Sequence, residues 1–229
     1  MPSNEGLTTK EVANRLGITP VSVRQLTGSG QLTVTGKVGR SILIDPASVE
    51  RLASSGTRRG RAWAPKTAWA ALALLSDIRP TWLSSPELSR LKNRLRKMDA
   101  GEVAILARNK DKTRRYRITV DGVPLVIEHL IPTGQTSMSD ENVAASFGMS
   151  GGSGIAEGYV MAGDAQQLAD AFGMVEDPHG NVILHEVEFA EPFERGKAPV
   201  AAVAVDLINS LAVRERSAGE RVLNELLHG

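Results

Sequence analysis

Residues 7–52 read LTTKEVANRLGITPVSVRQLTGSGQLTVTGKVGRSILIDPASVERL, and this stretch decides the fold of the N-terminal part. Thr8 begins a capping box, with a glutamate three residues later, so a helix is predicted to start there. Gly17 has the position of a left-handed residue that ends a helix. Thr19 then precedes a proline, which is the usual start of a second helix. Two short helices joined by a tight turn are therefore predicted over residues 7–28.

A β-hairpin and a third helix are predicted in the rest of the same stretch. The turn region runs from Gly36 to Gly39. The apolar residues that flank it are Leu32, Val34, Val38, Ile42 and Ile44. Asp45-Pro46 repeats the signature of a helix start. The order helix, turn, helix, hairpin, helix predicts a winged helix-turn-helix domain over residues 1–55.

A helix-turn-helix places its second helix in the major groove of DNA. Arg24 and Gln25 on that helix can form hydrogen bonds with base edges or phosphates, and the short hydroxyls of Thr19 and Ser22 suit backbone contacts. The hairpin tip is expected to bring further cations to phosphate or the minor groove. The predicted DNA-binding residues are Thr19, Ser22, Arg24, Gln25, Lys37, Arg40, Arg58, Arg59 and Arg61. The alternative is a small helical domain that has lost DNA binding.

Charge is divided unevenly along the chain. Residues 1–120 carry 22 Lys and Arg against 9 Asp and Glu, whereas residues 121–229 carry 5 against 17. A basic N-terminal half indicates a polyanionic partner such as double-stranded DNA. Alternatively, the two halves pack on each other and neutralise internally, and the charge count leaves both interpretations open.

A second basic surface is also a candidate for binding nucleic acid or an acidic partner. Its residues follow an amphipathic helix and a predicted hairpin: Arg90, Arg94, Lys97, Arg114, Arg115 and Arg117. Arg115 and Arg117 alternate along the predicted strand and would therefore share a face. The alternative is that these cations form ordinary solvated faces.

Composition excludes several classes of protein. The 41% of hydrophobic residues is enough to form a buried core, which excludes a wholly disordered chain. There is no cysteine, so disulfides, thiolate metal sites and a cysteine nucleophile are excluded. No apolar run approaches the ~18 residues of a membrane span, and the first residues do not have the pattern of a secretory signal. We therefore expect a cytoplasmic protein.

Catalysis, a metal ion and a cofactor are not expected. The histidines are His129, His179, His185 and His228. His179 falls in a predicted turn and His185 on a predicted strand, and no ligand set accompanies either. The glycine-rich segment 150–154 is not followed by the Lys-Ser/Thr pair of a phosphate-binding loop. An enzyme that modifies nucleic acid is the least favoured alternative.

The small, polar and basic residues 56–62 predict a linker, followed by a mixed helix and sheet domain over residues 63–229. Helices are predicted at Pro65–Leu75, from Ser85, at Asp140–Phe147, at Asp164–Phe172 and in two terminal segments. Extended segments are predicted at Val103–Ala107, Tyr116–Val120, Leu125–Ile127, Tyr159–Met161 and Val182–Phe189. The fold class is therefore α+β, with an N-terminal winged helix-turn-helix followed by a mixed helix/sheet domain.

Two resemblances extend this interpretation. Residues 7–52 resemble the MerR/excisionase-type helix-turn-helix, in which a helix with the SVRQL pattern precedes a short wing and a capped third helix. Further along, GRAWAPKTAWAALALL (60–75), EDPHGNVILHEVEF (176–189) and APVAAVAVDLINSLAVRERSAGERVLNELL (198–227) resemble AbiEi-type antitoxins. This second resemblance implies a repressor of its own operon whose C-terminal domain counteracts a nucleotidyltransferase toxin.

The helix-turn-helix thus predicts a DNA-binding transcriptional repressor, and the resemblance to AbiEi-type antitoxins implies that it is the autoregulating antitoxin of a bacterial toxin–antitoxin operon. The expected partners are operator DNA and a nucleotidyltransferase-type toxin, with no membrane. A stand-alone DNA-binding regulator or an excisionase-like accessory factor is the alternative. Monomer and homodimer both stay open, because no dimer seam is visible in the sequence.

Overall fold

The computed structural model describes residues 6–28, 30–39, 41–54, 61–151, 154–193 and 196–229. The chain divides into two compact units, which we call unit 1 (Met1–Arg59) and unit 2 (Gly60–Gly229). Most of the predicted linker, 56–62, lies outside the described residues.

Unit 1 has the predicted order of elements. Its helices are α1 (Thr9–Leu16), α2 (Pro20–Gly28) and α3 (Pro46–Ser54), and its strands are β1 (Leu7–Thr8), β2 (Val34–Val38) and β3 (Ser41–Ile44). The Thr8 side chain accepts a hydrogen bond from Glu11 N, and Glu11 accepts one from Thr8 N in return, which completes the predicted capping box. Gly17 ends α1 in the left-handed region at φ 63°.

The three helices of unit 1 share one core with the hairpin. The residues buried in it are Val12, Ala13, Val23, Leu32, Ile44 and Val49. Strand β1 was not predicted, and it pairs antiparallel with β3 to give a three-stranded sheet of order β1-β3-β2. The helix-turn-helix and its hairpin wing are thus held by a single apolar centre.

Unit 2 combines eight helices with a five-stranded sheet in the described residues. The helices are α4 (Pro65–Leu75), α5 (Ser85–Leu95), α6 (Ala100–Leu106), α7 (Val123–Ile127), α8 (Glu141–Ser146), α9 (Asp164–Phe172), α10 (Val200–Ile208) and α11 (Val213–His228). The strands are β4 (Lys112–Arg117), β5 (Ile131–Pro132), β6 (Ala156–Met161), β7 (Val175–Glu176) and β8 (Val182–Val187). This mixture confirms the predicted α+β class.

The sheet of unit 2 has the order β5-β6-β8-β4-β7. Strands β6 and β8 are parallel, with α9 in the crossover between them, and the other pairs are antiparallel. Strand β8 is central, and five of its six residues are buried because it has a neighbour on each side and packing on both faces.

Three extended segments predicted in unit 2 are wrong or displaced. Val103–Ala107 falls largely in α6, because Asp99 caps this helix and Glu102 completes a capping box that outweighs the local strand preference. Leu125–Ile127 belongs to α7, whose first turn contains Pro124.

The third displaced segment is Tyr116–Val120. The strand there is β4, which begins at Lys112 and ends at Arg117. Its charged residues pair in register with β8, whereas the more apolar residues that follow turn into a short 3-10 helix. Pairing with a buried neighbour strand therefore outweighed the apolar pattern in setting the strand boundaries.

The helices α4 and α10 form the centre of the largest core. Both are almost entirely buried, as the apolar sequence of α4 predicts. Trp69 packs edge-on against Tyr159 and Phe193, with ring centroids 5.2 and 4.9 Å away. Within the described residues, every helix is too short or too polar to cross a bilayer.

Candidate nucleic-acid interface

The outer face of α2 carries an exposed stripe. Val21, Arg24, Gln25 and Gly28 follow one another at helical spacing and are all exposed, with Val21 60% accessible. Val23 lies on the opposite side and is fully buried in the core of unit 1. The core therefore fixes which side of α2 faces outward, and that side presents two long hydrogen-bonding side chains beside a methyl-bearing one.

Thr19 and Ser22 form the start of α2. Thr19 Oγ1 accepts a hydrogen bond from Ser22 N at 3.1 Å and lies 3.0 Å from Ser22 Oγ. Thr19 is exposed and Ser22 is partly buried. Thr19 thus caps the helix by accepting from Ser22 N, and the two predicted contact residues place their hydroxyls together at the N-terminus of α2.

Lys37 lies on β2 in the wing and is exposed, opposite Ile42 of β3. Gly39, at φ 59°, begins the turn of this hairpin. Arg40, Arg58 and Arg59 lie outside the described residues. Arg61 is exposed at the beginning of unit 2.

Arg24 of the stripe and Lys37 of the wing differ from Arg15 in whether they form an ion pair. Arg15 of α1 forms a 2.5 Å ion pair with Glu50 of α3. Neither Arg24 nor Lys37 forms an ion pair with any described residue. Among the described residues, therefore, no carboxylate neutralises the charge of either side chain.

The second predicted basic set is divided by the structure. Arg90, Arg94 and Lys97 lie together on and just after α5, and all three are exposed. The guanidinium of Arg94 lies over the Trp63 ring, 5.5 Å from its centroid. No ion pair forms at these three residues within the described chain.

The three arginines of β4 are in a different situation. Arg114 Nε lies 2.8 Å from Glu186 Oε2, and Arg117 Nε lies 2.5 Å from Asp177 Oδ2. Arg115 is partly buried, and burial lowers the pKa of its guanidinium. Tyr116 between Arg115 and Arg117 is buried, so these two share the opposite face of the strand, as the alternation predicts.

Comparison with known proteins bears on unit 1. Residues 7–57 match the family model described as a helix-turn-helix domain. Unit 1 contains a helix-turn-helix domain. No curated protein and no solved structure matches the chain. The predicted N-terminal fold is confirmed, while the resemblance of the rest to AbiEi-type antitoxins finds no support in these comparisons.

Outside the helix-turn-helix domain, unit 2 contains a buried group of charges that the sequence analysis missed. We call it the ionic cluster: Lys110, Asp111, Glu157, His185 and Asp206. Lys110 Nζ donates to the carboxylates of Asp111 and Asp206, with 2.7 Å to Asp206 Oδ1. His185 Nδ1 lies 3.4 Å from Asp111 Oδ2, and its Nε2 lies 3.3 Å from Glu157 Oε1.

Hydroxyl groups complete the ionic cluster. Asp206 Oδ2 accepts hydrogen bonds from Tyr159 OH and from Thr133 Oγ1, the latter at 2.7 Å. Thr113 Oγ1 donates to Asp111 Oδ1 at 3.0 Å. Buried charges are tolerated where they are both paired and hydrogen-bonded, and these charges meet both conditions.

The protonation states follow from this pairing. Burial alone would lower the pKa of Lys110, but the carboxylates of Asp111 and Asp206 raise it well above its usual value. Burial also opposes protonation of His185, yet the same two carboxylates raise its pKa to about 10. Burial would raise the pKa of Asp111, and the charges of Lys110 and His185 instead hold it below its usual value.

The expectation that no ligand set accompanies His185 is wrong. Asp111, His185 and Asp206 offer ligand atoms that all lie within 4.8 Å of one another. However, the Lys110 ammonium contacts both carboxylates and supplies the positive charge that a metal ion would bring. This donor set therefore fits an internal ion-pair network rather than a metal ion.

One feature of the sequence indicates such a site. Asp206 is the single charged residue of the apolar helix α10, VAAVAVDLI. A lone carboxylate within a helix that is apolar on all sides must find a buried partner. The partner itself, Lys110, is not indicated by any local pattern.

Proposed function

We propose that the protein is a sequence-specific DNA-binding transcription regulator whose α2 reads base edges in the major groove. The exposed stripe of α2 carries the proposal. A helix of ~10–12 Å diameter fits the ~12 Å major groove, and the stripe is the side of α2 that the core leaves free.

The chemistry of the stripe suits base recognition. Arginine pairs with the O6 and N7 acceptors of guanine, and glutamine with the N6 and N7 positions of adenine. Arg24 and Gln25 are adjacent and exposed, and the methyl groups of Val21 are available to a thymine methyl. Three neighbouring side chains thus provide donor, acceptor and apolar contacts to successive base pairs.

Phosphate contacts are proposed for the residues around the stripe. Thr19 and Ser22 carry hydroxyl groups at the N-terminus of α2, a position that favours phosphate oxygens. Lys37 on the wing adds a cation without an internal partner among the described residues. Such contacts fix the position of a protein on DNA without reading sequence.

The proposal is tested by selecting duplexes from a random library with the full-length protein. Arg24→Ala and Gln25→Ala are each expected to weaken binding to the selected duplex by about 1–3 kcal/mol and to relax specificity at one position. Arg221→Ala is the matched control, because Arg221 is bound to Glu225 at 2.7 Å. Failure to enrich any duplex, or a double variant that binds like the wild type, would contradict the proposal.

The finer role that we propose is that of an autoregulating repressor and antitoxin in a bacterial toxin–antitoxin operon. It is supported by the resemblance of residues 60–75, 176–189 and 198–227 to AbiEi-type antitoxins. A regulator of this kind acts in the bacterial cytoplasm, opposite a nucleotidyltransferase-type toxin, and needs no catalytic activity of its own.

This finer role is tested by the gene adjacent to the coding sequence. If that gene inhibits growth when expressed alone, co-expression of this protein is expected to restore growth. An innocuous neighbour would favour the alternative of a stand-alone regulator or an excisionase-like accessory factor.

A further inference from the structure

Helix α5 and the turn after it present a face made only of polar and charged side chains. Leu91, Leu95 and Met98 are buried and Leu88 is partly buried, so the leucine row attaches the helix to the core of unit 2. We call the five exposed cations on the other sides the α5 basic face: Arg90, Lys92, Arg94, Arg96 and Lys97. The exposed residues between them are Ser89 and Asn93.

The carboxylates near this face are used elsewhere. Glu87 accepts hydrogen bonds from Ser84 N at 2.9 Å and Ser84 Oγ at 2.5 Å, which caps α5. Asp99 and Glu102 form the reciprocal capping box of α6, at 2.8 and 3.2 Å. Glu87 lies near enough to Arg90 for their charges to attract, but no direct ion pair forms at the five cations within the described residues.

Part of the face is held in position before any ligand arrives. Arg94 stacks on Trp63, which is buried and whose N donates to Leu106 O at 2.9 Å. Arg90 Nε donates to Pro86 O at 3.3 Å. A cation that is already ordered loses less side-chain entropy when it binds an anion.

Spacing along the helix favours a repeating anion. Arg90 and Arg94 are four residues apart on α5 and therefore lie side by side, and Lys97 follows in the turn directly after the helix; we call these three cations the row. With a rise of 1.5 Å per residue, Arg90 and Arg94 are separated by about 6 Å along the helix axis. This separation is about two of the ~3.4 Å axial steps between phosphates on one DNA strand.

We propose that the α5 basic face binds the phosphate backbone of duplex DNA and adds a sequence-independent contact to the specific one made by α2. The composition favours DNA over an acidic protein, because protein interfaces have an apolar or aromatic centre whereas DNA interfaces are polar and positively charged. This inference rests on the proposed function, since it assigns a second contact to the same ligand.

The test uses the full-length protein and two triple variants that each remove three positive charges. Arg90→Gln, Arg94→Gln and Lys97→Gln remove the row. Lys112→Gln, Lys197→Gln and Arg214→Gln remove three exposed cations from elsewhere in unit 2 and serve as the matched control. Thermal unfolding verifies that both variants are folded.

Binding is measured by fluorescence anisotropy at several salt concentrations, with the selected duplex and with a duplex of unrelated sequence. Removing the row is expected to weaken binding to both duplexes by the same factor. It is also expected to make the slope of log affinity against log salt shallower by about 2–3, because each lost phosphate contact removes ~0.9. The control variant should keep the slope of the wild type.

The possible failures are distinguishable. If removing the row leaves affinity and slope unchanged, or changes them no more than the control does, the α5 basic face does not bind DNA, whatever the result for Arg24 and Gln25. If the row variant loses affinity while the Arg24 and Gln25 variants do not, this inference stands and the proposed reading helix is wrong.

Discussion

The α5 basic face and the ionic cluster lie in the same unit and both contain lysine, yet they are opposites in their surroundings. The five cations of the face are exposed and their neighbouring carboxylates cap helices. In the ionic cluster, Lys110 is enclosed and contacts two carboxylates. The function of a charged residue therefore depends on whether the fold has already supplied its counter-ion, which a count of charges does not show.

The largest difference between the two regions is expected in stability. Lys110→Met would leave the buried carboxylates of Asp111 and Asp206 without their counter-ion and should lower the free energy of unfolding by about 3–5 kcal/mol. Lys97→Met makes the same substitution on the α5 basic face and should change it by less than about 0.5 kcal/mol. Urea denaturation of both variants measures the two changes in the free energy of unfolding. Equal changes would contradict the distinction between a buried, paired lysine and an exposed, unpaired one.

The ionic cluster also predicts a dependence of stability on pH. The folded protein keeps the His185 proton up to about pH 10, beside Asp111 and Glu157, whereas an unfolded chain releases it near pH 6.5. The contribution of His185 to the free energy of unfolding should therefore be fully present below pH 6.5. As pH rises towards 10 it should decrease by up to about 1.4 kcal/mol per pH unit.

Comparison with His185→Gln isolates this effect from the other titrating groups. The stability difference between the wild type and this variant should shrink as pH rises from 6.5 to 10. A difference that stays constant over this range would show that His185 is not held protonated by its neighbours.

A smaller effect distinguishes paired from unpaired surface arginines. Arg114→Gln should destabilise the protein by about 1 kcal/mol, because Glu186 loses a charged hydrogen-bond partner, and should leave DNA affinity unchanged. Arg90→Gln should do the reverse, with little effect on stability and a measurable loss of DNA affinity. Melting curves measure the stability of the two variants, and anisotropy titrations measure their affinity for DNA. If Arg114→Gln were the variant that weakened DNA binding, the assignment of Arg90 to DNA contact and of Arg114 to an internal ion pair would be refuted.

Local signals in the sequence predicted the helix-turn-helix because its elements are set by neighbouring residues. Thr8 with Glu11, Thr19 before a proline and Gly17 each act within one turn of helix, and the structure has all three in place. Strand β1 has two residues and no pattern of its own, since its position depends on pairing with β3. It could not be predicted locally.

In unit 2, more of the structure than in unit 1 depends on contacts between residues that are distant in sequence. The capping box of Asp99 and Glu102 was available in the sequence and would have corrected the strand predicted at Val103–Ala107. The ionic cluster, in contrast, joins residues on β6, β8, α10 and the turn before β4, and only the folded sheet brings them together. The lone Asp206 indicates that a partner exists, but its identity requires the topology.

The central claim is that the exposed stripe of α2 contacts bases in duplex DNA, and site-specific photo-crosslinking tests it most directly. A photoreactive amino acid at position 25 should crosslink to bases of the selected duplex, whereas the same group in place of the exposed Glu220 of α11 should not. If position 25 gives no crosslinks, or if position 220 crosslinks equally well, the claim that the exposed stripe contacts bases is contradicted.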